Sequence, residues 1–154
     1  NGKLAAKMIV RKHRLWEVFL VEKLDFSWDE VHDIAEQLEH IKSEQLINKL
    51  DDFLGGPPGD PHGDPIPNAN GQMVAIEKQL LSELAENQIG ICVGVKDSSA
   101  EFLKYLDKQE IALGSKIEII FKESFDLSTK IKVNGKELTI SNKIANNLFV
   151  KVGY

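Results

Sequence analysis

The chain reads as an α+β protein, a helical domain followed by a small β-barrel of SH3 type. Three observations predict this. Apolar residues recur at helical spacing up to residue 54, all five prolines of the chain fall within residues 55–71, and short β-rich runs with tight turns fill the remainder. The expected divisions are residues 1–56 for the helical domain, 57–74 for a Pro/Gly-rich loop and linker, and 75–154 for the β domain.

Residues 3–21 predict the first helix, with Leu4, Met8, Leu15, Phe19 and Leu20 at helical spacing. Lys3, Lys7, Arg11, Lys12 and Arg14 between them read as a solvated basic face. Residues 28–41 predict a second helix, with Ser27 as N-cap and Glu30 in the capping-box position three residues on. Residues 44–54 predict a third, capped by Ser43 and ended by Gly55 and Gly56. Three short helices with broad apolar faces bury little alone, so a second copy of the chain is expected to complete their core.

In the second half, Ile89–Lys96 alternates as a strand does, and Ser98 stands where it can cap a short helix running through Leu106. Lys116–Lys122 is a β-rich run, and Asn134-Gly135 between two apolar stretches signals a hairpin over residues 130–140. Leu148–Val152 predicts a last strand.

Composition excludes several classes of function. Hydrophobic residues make up 42% and charged residues 28%, as in a soluble globular protein. The net charge of -5 argues against a grip on phosphate backbone by this chain and suits cations better. Cys92 is the only cysteine, which forbids an internal disulfide and points to a reducing cytoplasm. No apolar run approaches the ~18 residues of a membrane span, and no signal peptide is legible. The chain opens on Asn1 in mid-helix pattern, which reads as a boundary with sequence upstream.

The chemistry concentrates in four histidines, His13, His32, His40 and His62, each with carboxylates nearby in sequence. In the second helix His32, Glu36, Glu39 and His40 stand at offsets 0, 4, 7 and 8, which places them on one helical face. Imidazole and carboxylate donors on one stripe suit a first-row divalent cation, and a carboxylate-rich set favours manganese or ferrous iron over zinc. His13 and Glu17 share a face at i, i+4 on the first helix, although a lone Glu17 is more often simply solvated. Asp60-Pro61-His62-Gly63-Asp64 adds two further donors, Asp60 and His62, with proline stiffening the backbone between them.

The stretches RKHRLWE (11–17), VHDIAEQLEH (31–40) and DPHGDPIP (60–67), in that order and spacing, resemble the diphtheria toxin repressor family of iron- and manganese-dependent regulators. The run VKDSSAEFLKYLDKQEIALGSKIEII resembles that family's FeoA-like, SH3-like module. The resemblance covers essentially the whole chain. It implies a helical dimerisation and metal-binding domain, a FeoA-like β domain, and an absent winged helix-turn-helix. Residues 1–14 look like the end of the helix that would follow that missing domain.

By the same resemblance Glu36, Glu39 and His40 match the family's main metal site. His13 matches a ligand of either site, and Glu17 and His32 match second-site ligands. Asp60 and His62 match a loop that carries Cys-Pro-His-Gly in some manganese-sensing members, with aspartate here where those have cysteine. Asp97 matches a carboxylate lent by the SH3-like module. The Glu and Gln that iron-type modules lend are missing near Ile91 and Gly94. Glutamate at position 36, where iron-type members have cysteine, leans toward Mn²⁺ over Fe²⁺ as the metal.

The function so implied is the regulatory part of a transcriptional repressor: a cytoplasmic homodimer without enzymatic activity. It would reach operator DNA only through the absent domain, with no DNA-binding residue of its own, and would take no small-molecule substrate. Two rival readings are a metal-dependent hydrolase built on Glu36–His40, which departs from the H-x-x-E-H pattern at position 36, and a metal-free SH3-like interaction module.

Overall fold

In the computed structural model, which describes residues 2–152, the chain forms two units that divide between Ile76 and Glu77. The first is helical: α1 (Gly2–Leu24), α2 (Val31–Leu38) and α3 (Glu44–Phe53). Leu15, Leu20, Val31, Ala35, Ile47 and Leu50 form its core, and Ile66 from the Pro/Gly-rich loop packs against it. Residues 57–74 therefore fall inside this unit.

Local chemistry sets the helix ends. Beyond α1, the Phe26 amide reaches back to the Leu20 carbonyl at 3.0 Å, across Asp25 in the left-handed region (φ 61°). Ser43 caps α3 as expected, its hydroxyl accepting from the Leu46 amide at 3.1 Å. Gly55 and Gly56 end that helix at φ 82° and 66°, backbone angles that cost glycine little.

The second helix departs from expectation. It spans residues 31–38 rather than 28–41, and Glu30, not Ser27, holds the N-cap position. Only half of the capping box forms: the Ser27 amide donates to Glu30 Oε1 at 3.2 Å, while the Ser27 hydroxyl turns aside to Asp29. At the other end the Ile41 amide bonds the Leu38 carbonyl at 3.1 Å, a tight turn that takes Glu39 and His40 out of the helix.

The basic face of α1 is also not wholly solvated. Arg11 is buried and pairs with Asp51 of α3 at 3.0 Å. It stands at i−4 from Leu15 and i−7 from Val18, both buried, so helical periodicity carries it into the packed stripe.

The second unit is a six-stranded antiparallel sheet in the order β1-β6-β2-β3-β4-β5. Its strands are β1 (Gln79–Leu80), β2 (Ile89–Val95), β3 (Lys116–Lys122), β4 (Thr129–Val133), β5 (Lys136–Ile140) and β6 (Leu148–Lys151). Helix α4 (Ala100–Lys108) is capped by Ser99 rather than Ser98, and a one-turn α5 (Asn142–Ala145) precedes β6. Register shifts at Cys92/Gly94 and Ile119/Phe121 bend the sheet in the manner of SH3-like folds. Asn134 (φ 53°) and Gly135 (φ 79°) make the β4–β5 turn with both residues left-handed, as a two-residue hairpin of this twist requires. Gly90 is demanded by packing, since a Cβ there would sit 2.9 Å from Cβ of Val150 on β6.

Ile131 is fully buried on β4, between Ile119 and Leu138 on the neighbouring strands. Ile131→Ala is expected to cost about 2–5 kcal/mol, read as a lowered urea midpoint by far-ultraviolet circular dichroism. An unfolding free energy within about 0.5 kcal/mol of the parent would contradict this packing.

Candidate metal centre

Glu17 lies at the middle of the centre. Its side chain is only 3% exposed, and its Oε2 atom faces three imidazoles from three segments. His13 Nε2 of the same helix is 3.3 Å away, His32 Nδ1 of α2 is 4.0 Å away, and His62 Nδ1 of the loop is 3.9 Å away. Each histidine arrives for a local reason. His13 precedes Glu17 by one helical turn, and α2 lays His32 against α1, with the His13 and His32 ring centroids 4.8 Å apart. The loop carrying His62 is held by its own main chain.

That loop closes on itself. Gly59 and Pro65 form an antiparallel bridge, the Asp60 amide donates to the Asp64 carbonyl at 2.8 Å, and the Ile66 amide donates to the Pro58 carbonyl at 3.0 Å. Asp60 Oδ1 accepts from the amides of His62 and Asp64, both at 2.9 Å. His62 Nε2 lies 2.7 Å from the Trp28 carbonyl, and the two rings stack at 6.2 Å. A carbonyl only accepts, so Nε2 carries a proton, and the ring turns its Nδ1 toward Glu17.

Three overlapping groups of ligand atoms result, His13–Glu17–His32, Glu17–Asp60–His62 and the exposed His32–Asp33–Glu36, each gathered within 4.8 Å. The second group is wholly buried. Glu39 joins the edge of the first, its Oε1 2.7 Å from His13 Nδ1. The expected four-residue face of α2 divides: His32 and Glu36 stay together at 3.9 Å and largely exposed, Glu39 turns to His13, and His40 is exposed beyond the helix end. Asp97 belongs to the second unit, where its Oδ1 accepts from the Ser99 amide at 2.8 Å.

Arg14 and Trp28 escaped the sequence reading. Arg14 donates to the Pro65 carbonyl and holds its Nε 3.9 Å from Asp60 Oδ2. The only signal for Arg14 was its adjacency to His13. A main-chain carbonyl such as that of Trp28 leaves no mark in side-chain patterns.

The electrostatics are those of an anionic pocket seeking positive charge. The hydrogen bond to Glu17 raises the pKa of His13 to about 9, with Glu39 adding to it against the cost of burial. Burial opposes charge on Glu17, but the His13 hydrogen bond and the charges of His62 and His13 outweigh it and hold that carboxyl below its ordinary range. Burial, with the charges of Asp64 and Glu17, pushes Asp60 up to about 7. Two buried carboxylates thus share a pocket in which one tends to keep its proton. Unprotonated carboxylate and imidazole groups at this spacing are of the kind that could hold a divalent cation.

The sequence of residues 1–68 matches the model of the iron dependent repressor, metal binding and dimerisation domain, and residues 79–152 match that of the FeoA domain. A solved manganese-dependent transcriptional repressor in complex with manganese is 35% identical and superposes with a TM-score of 0.91, over 98% of this chain and 72% of that one. The chain belongs to the diphtheria toxin repressor family. Another family protein, the iron-dependent repressor IdeR of Mycobacterium leprae, is 28% identical over 161 residues, which is 97% of this chain and 61% of IdeR. A probable metal transport system membrane protein of Chlamydia trachomatis is 46% identical over 67 residues, 44% of this chain and 15% of that protein. The chain thus spans less than two thirds of the length of these two relatives. In this family member the metal-binding and dimerisation segment carries the Glu17 cluster, and the FeoA segment carries Asp97.

The proton inventory has a measurable consequence in metal-free protein. The raised His13 contributes stability that is complete below pH 6.5 and is lost as pH rises through about 9. Asp60, raised to about 7, contributes in the same sense from its ordinary 3.8 upward. Glu17, lowered, contributes above its ordinary 4.5 and loses that contribution in acid. The melting temperature of the metal-free first unit is therefore expected to fall between pH 6 and 9.5. By NMR titration His13 should remain protonated at pH 7.5, and Glu17→Gln should return it toward its ordinary pKa. An unshifted His13 in the parent protein would overturn this account.

Proposed function

We propose that this chain is the metal-sensing and dimerising part of a Mn²⁺- or Fe²⁺-dependent transcriptional repressor, and that it controls DNA binding by an N-terminal domain outside this sequence. The observation that carries the reading is the convergence of His13, His32 and His62 on the buried Glu17 carboxylate. Glu17, Asp60 and His62 would hold one ion, with His13 and His32 at its edge. Glu36, Glu39 and His40 would serve a second ion, shared with His13 and completed from the missing domain. Mixed carboxylate and imidazole donors, with no thiolate at either, favour manganese or ferrous iron over softer competitors.

A bound divalent ion supplies the positive charge that lets both buried carboxylates stay ionised together. The residues of the chain do the rest. Glu17 ties α1 to α2 and to the loop, Asp60 holds the loop turn, and Trp28 fixes the His62 tautomer. Those attachments restrain α1, the helix that would lead to the DNA-reading domain, and so bias that domain toward one spacing in the dimer.

Dimerisation is supported by an apolar face left open on the first unit. Leu46 (40% exposed) and Phe53 (62% exposed) lie two turns apart on α3, with Leu24 (53% exposed) at the end of α1. No helix among the described residues is long and apolar enough to cross a membrane. We read the chain as non-enzymatic and cytoplasmic.

The likeness to the Chlamydia protein favours a second reading, in which the same centre is the metal-responsive module of a metal transport protein. The reading frame upstream of Asn1 separates the two: a winged helix supports the repressor, membrane-spanning segments the transport module.

Titration calorimetry tests the metal reading itself. Mn²⁺ should bind the parent chain saturably, and Glu17→Ala should weaken that binding about tenfold or more. Binding should strengthen from pH 6 to 8.5 as His13 and Asp60 give up protons. Equal heats for parent and variant would refute the assignment of this centre.

A further inference from the structure

The first unit carries a second polar site on the other side of α1. Arg11 precedes His13 by two residues, a rotation of roughly 200° about the helix axis. It is 4% exposed, and its Nη2 donates to Asp51 Oδ2 at 3.0 Å. That bond satisfies one edge of the guanidinium. The Arg11 Nε–H is buried and, among the described residues, has no acceptor. An unmade buried donor costs about 1–3 kcal/mol, and folded proteins rarely leave one without a water or a ligand to meet it.

Beside Arg11 lies a cavity of about 130 Å³ between α1 and the N-terminal end of α3. Lys12 and Lys42 bring two ammonium groups to its wall, and Asn48 brings a side-chain amide. None of these three side chains has a hydrogen-bond or ion-pair partner among the described residues. Glu44 is the one carboxylate in the wall, while Asp51 is already engaged by Arg11. Two free ammonium groups against one carboxylate leave the cavity cationic, within a chain whose net charge is -5. Met8 and Ile47 line its apolar side.

We propose that this cavity binds a small tetrahedral oxyanion of the phosphate or sulfate class. Lys12 and Lys42 supply the charge, and Asn48 and the Arg11 guanidinium supply hydrogen bonds. The size suits a single oxyanion, which offers acceptors in several directions at once; chloride offers charge without that geometry. This site stands independently of the metal reading. Its residues are distinct from the Glu17 cluster, and binding there would brace α1 against α3.

The test uses the metal-free 154-residue chain. Inorganic phosphate and, separately, sodium chloride at matched ionic strength are titrated into ¹⁵N-labelled protein. The expected result is a saturable shift of the Lys12, Lys42 and Asn48 amides with phosphate, absent with chloride, and a phosphate-dependent rise in melting temperature. The Lys12→Gln/Lys42→Gln variant, altered only at partly or fully exposed positions, should keep the parent circular dichroism and bind phosphate at least about tenfold more weakly. Equal responses to phosphate and chloride would mean screening alone and overturn the proposal, as would parent-like phosphate binding by the double variant. Lys130→Gln, on β4 of the second unit, serves as the charge control and should leave the response unchanged; loss of the response in that variant would likewise count against the site.

Discussion

A carboxylate removed from water holds its charge only if neighbours replace the hydration it has lost. Glu17 satisfies that condition with imidazoles from α1, α2 and the Pro/Gly-rich loop. Three segments of the first unit meet this need. Helix α2 is placed so that His32 reaches across to α1. The loop turns back so that His62 presents Nδ1, and Asp60 is brought close enough to compete for the same positive charge. The apolar core of Leu15, Val31, Ala35 and Ile47 fixes the helices that carry these groups.

The centre is poised rather than self-sufficient. Three imidazoles around Glu17 cannot all be charged at neutral pH without repelling one another, and two buried carboxylates cannot both ionise without a cation. Protonation of His13 and Asp60 is one way to relieve the conflict, and a divalent ion is the other. The two ways exclude each other at the same atoms. On the proposed reading, metal binding at these atoms would release protons.

Much of the fold was legible because local signals and tertiary structure agree. Ser43 and the Gly55-Gly56 pair bound α3 as expected, Asn134-Gly135 makes its hairpin, and Lys116–Lys122 is a strand from end to end. Pairing of His13 with Glu17 was visible as a one-turn spacing. What escaped depended on distant partners. The early end of α2 separates Glu39 and His40 from a face that periodicity alone had joined, and Glu39 then turns to His13, 26 positions away in sequence. Arg11 looked like one of five basic surface residues, because nothing nearby announces that Asp51 waits for it, 40 positions on. The two-residue β1 and the single turn of α5 are too short for any periodicity to register.

The ring formed by residues 58–66 has one more consequence. Its main-chain bonds join its two ends, so Pro58 and Ile66 are neighbours and the histidine between them is referenced to the ring itself. Chain beyond the ring, where Val74 is 85% exposed, can gain or lose residues over evolutionary time while the ring stays as it is. A lineage can thus alter the length of the span leading to its FeoA-like unit while inheriting the His62 position unchanged.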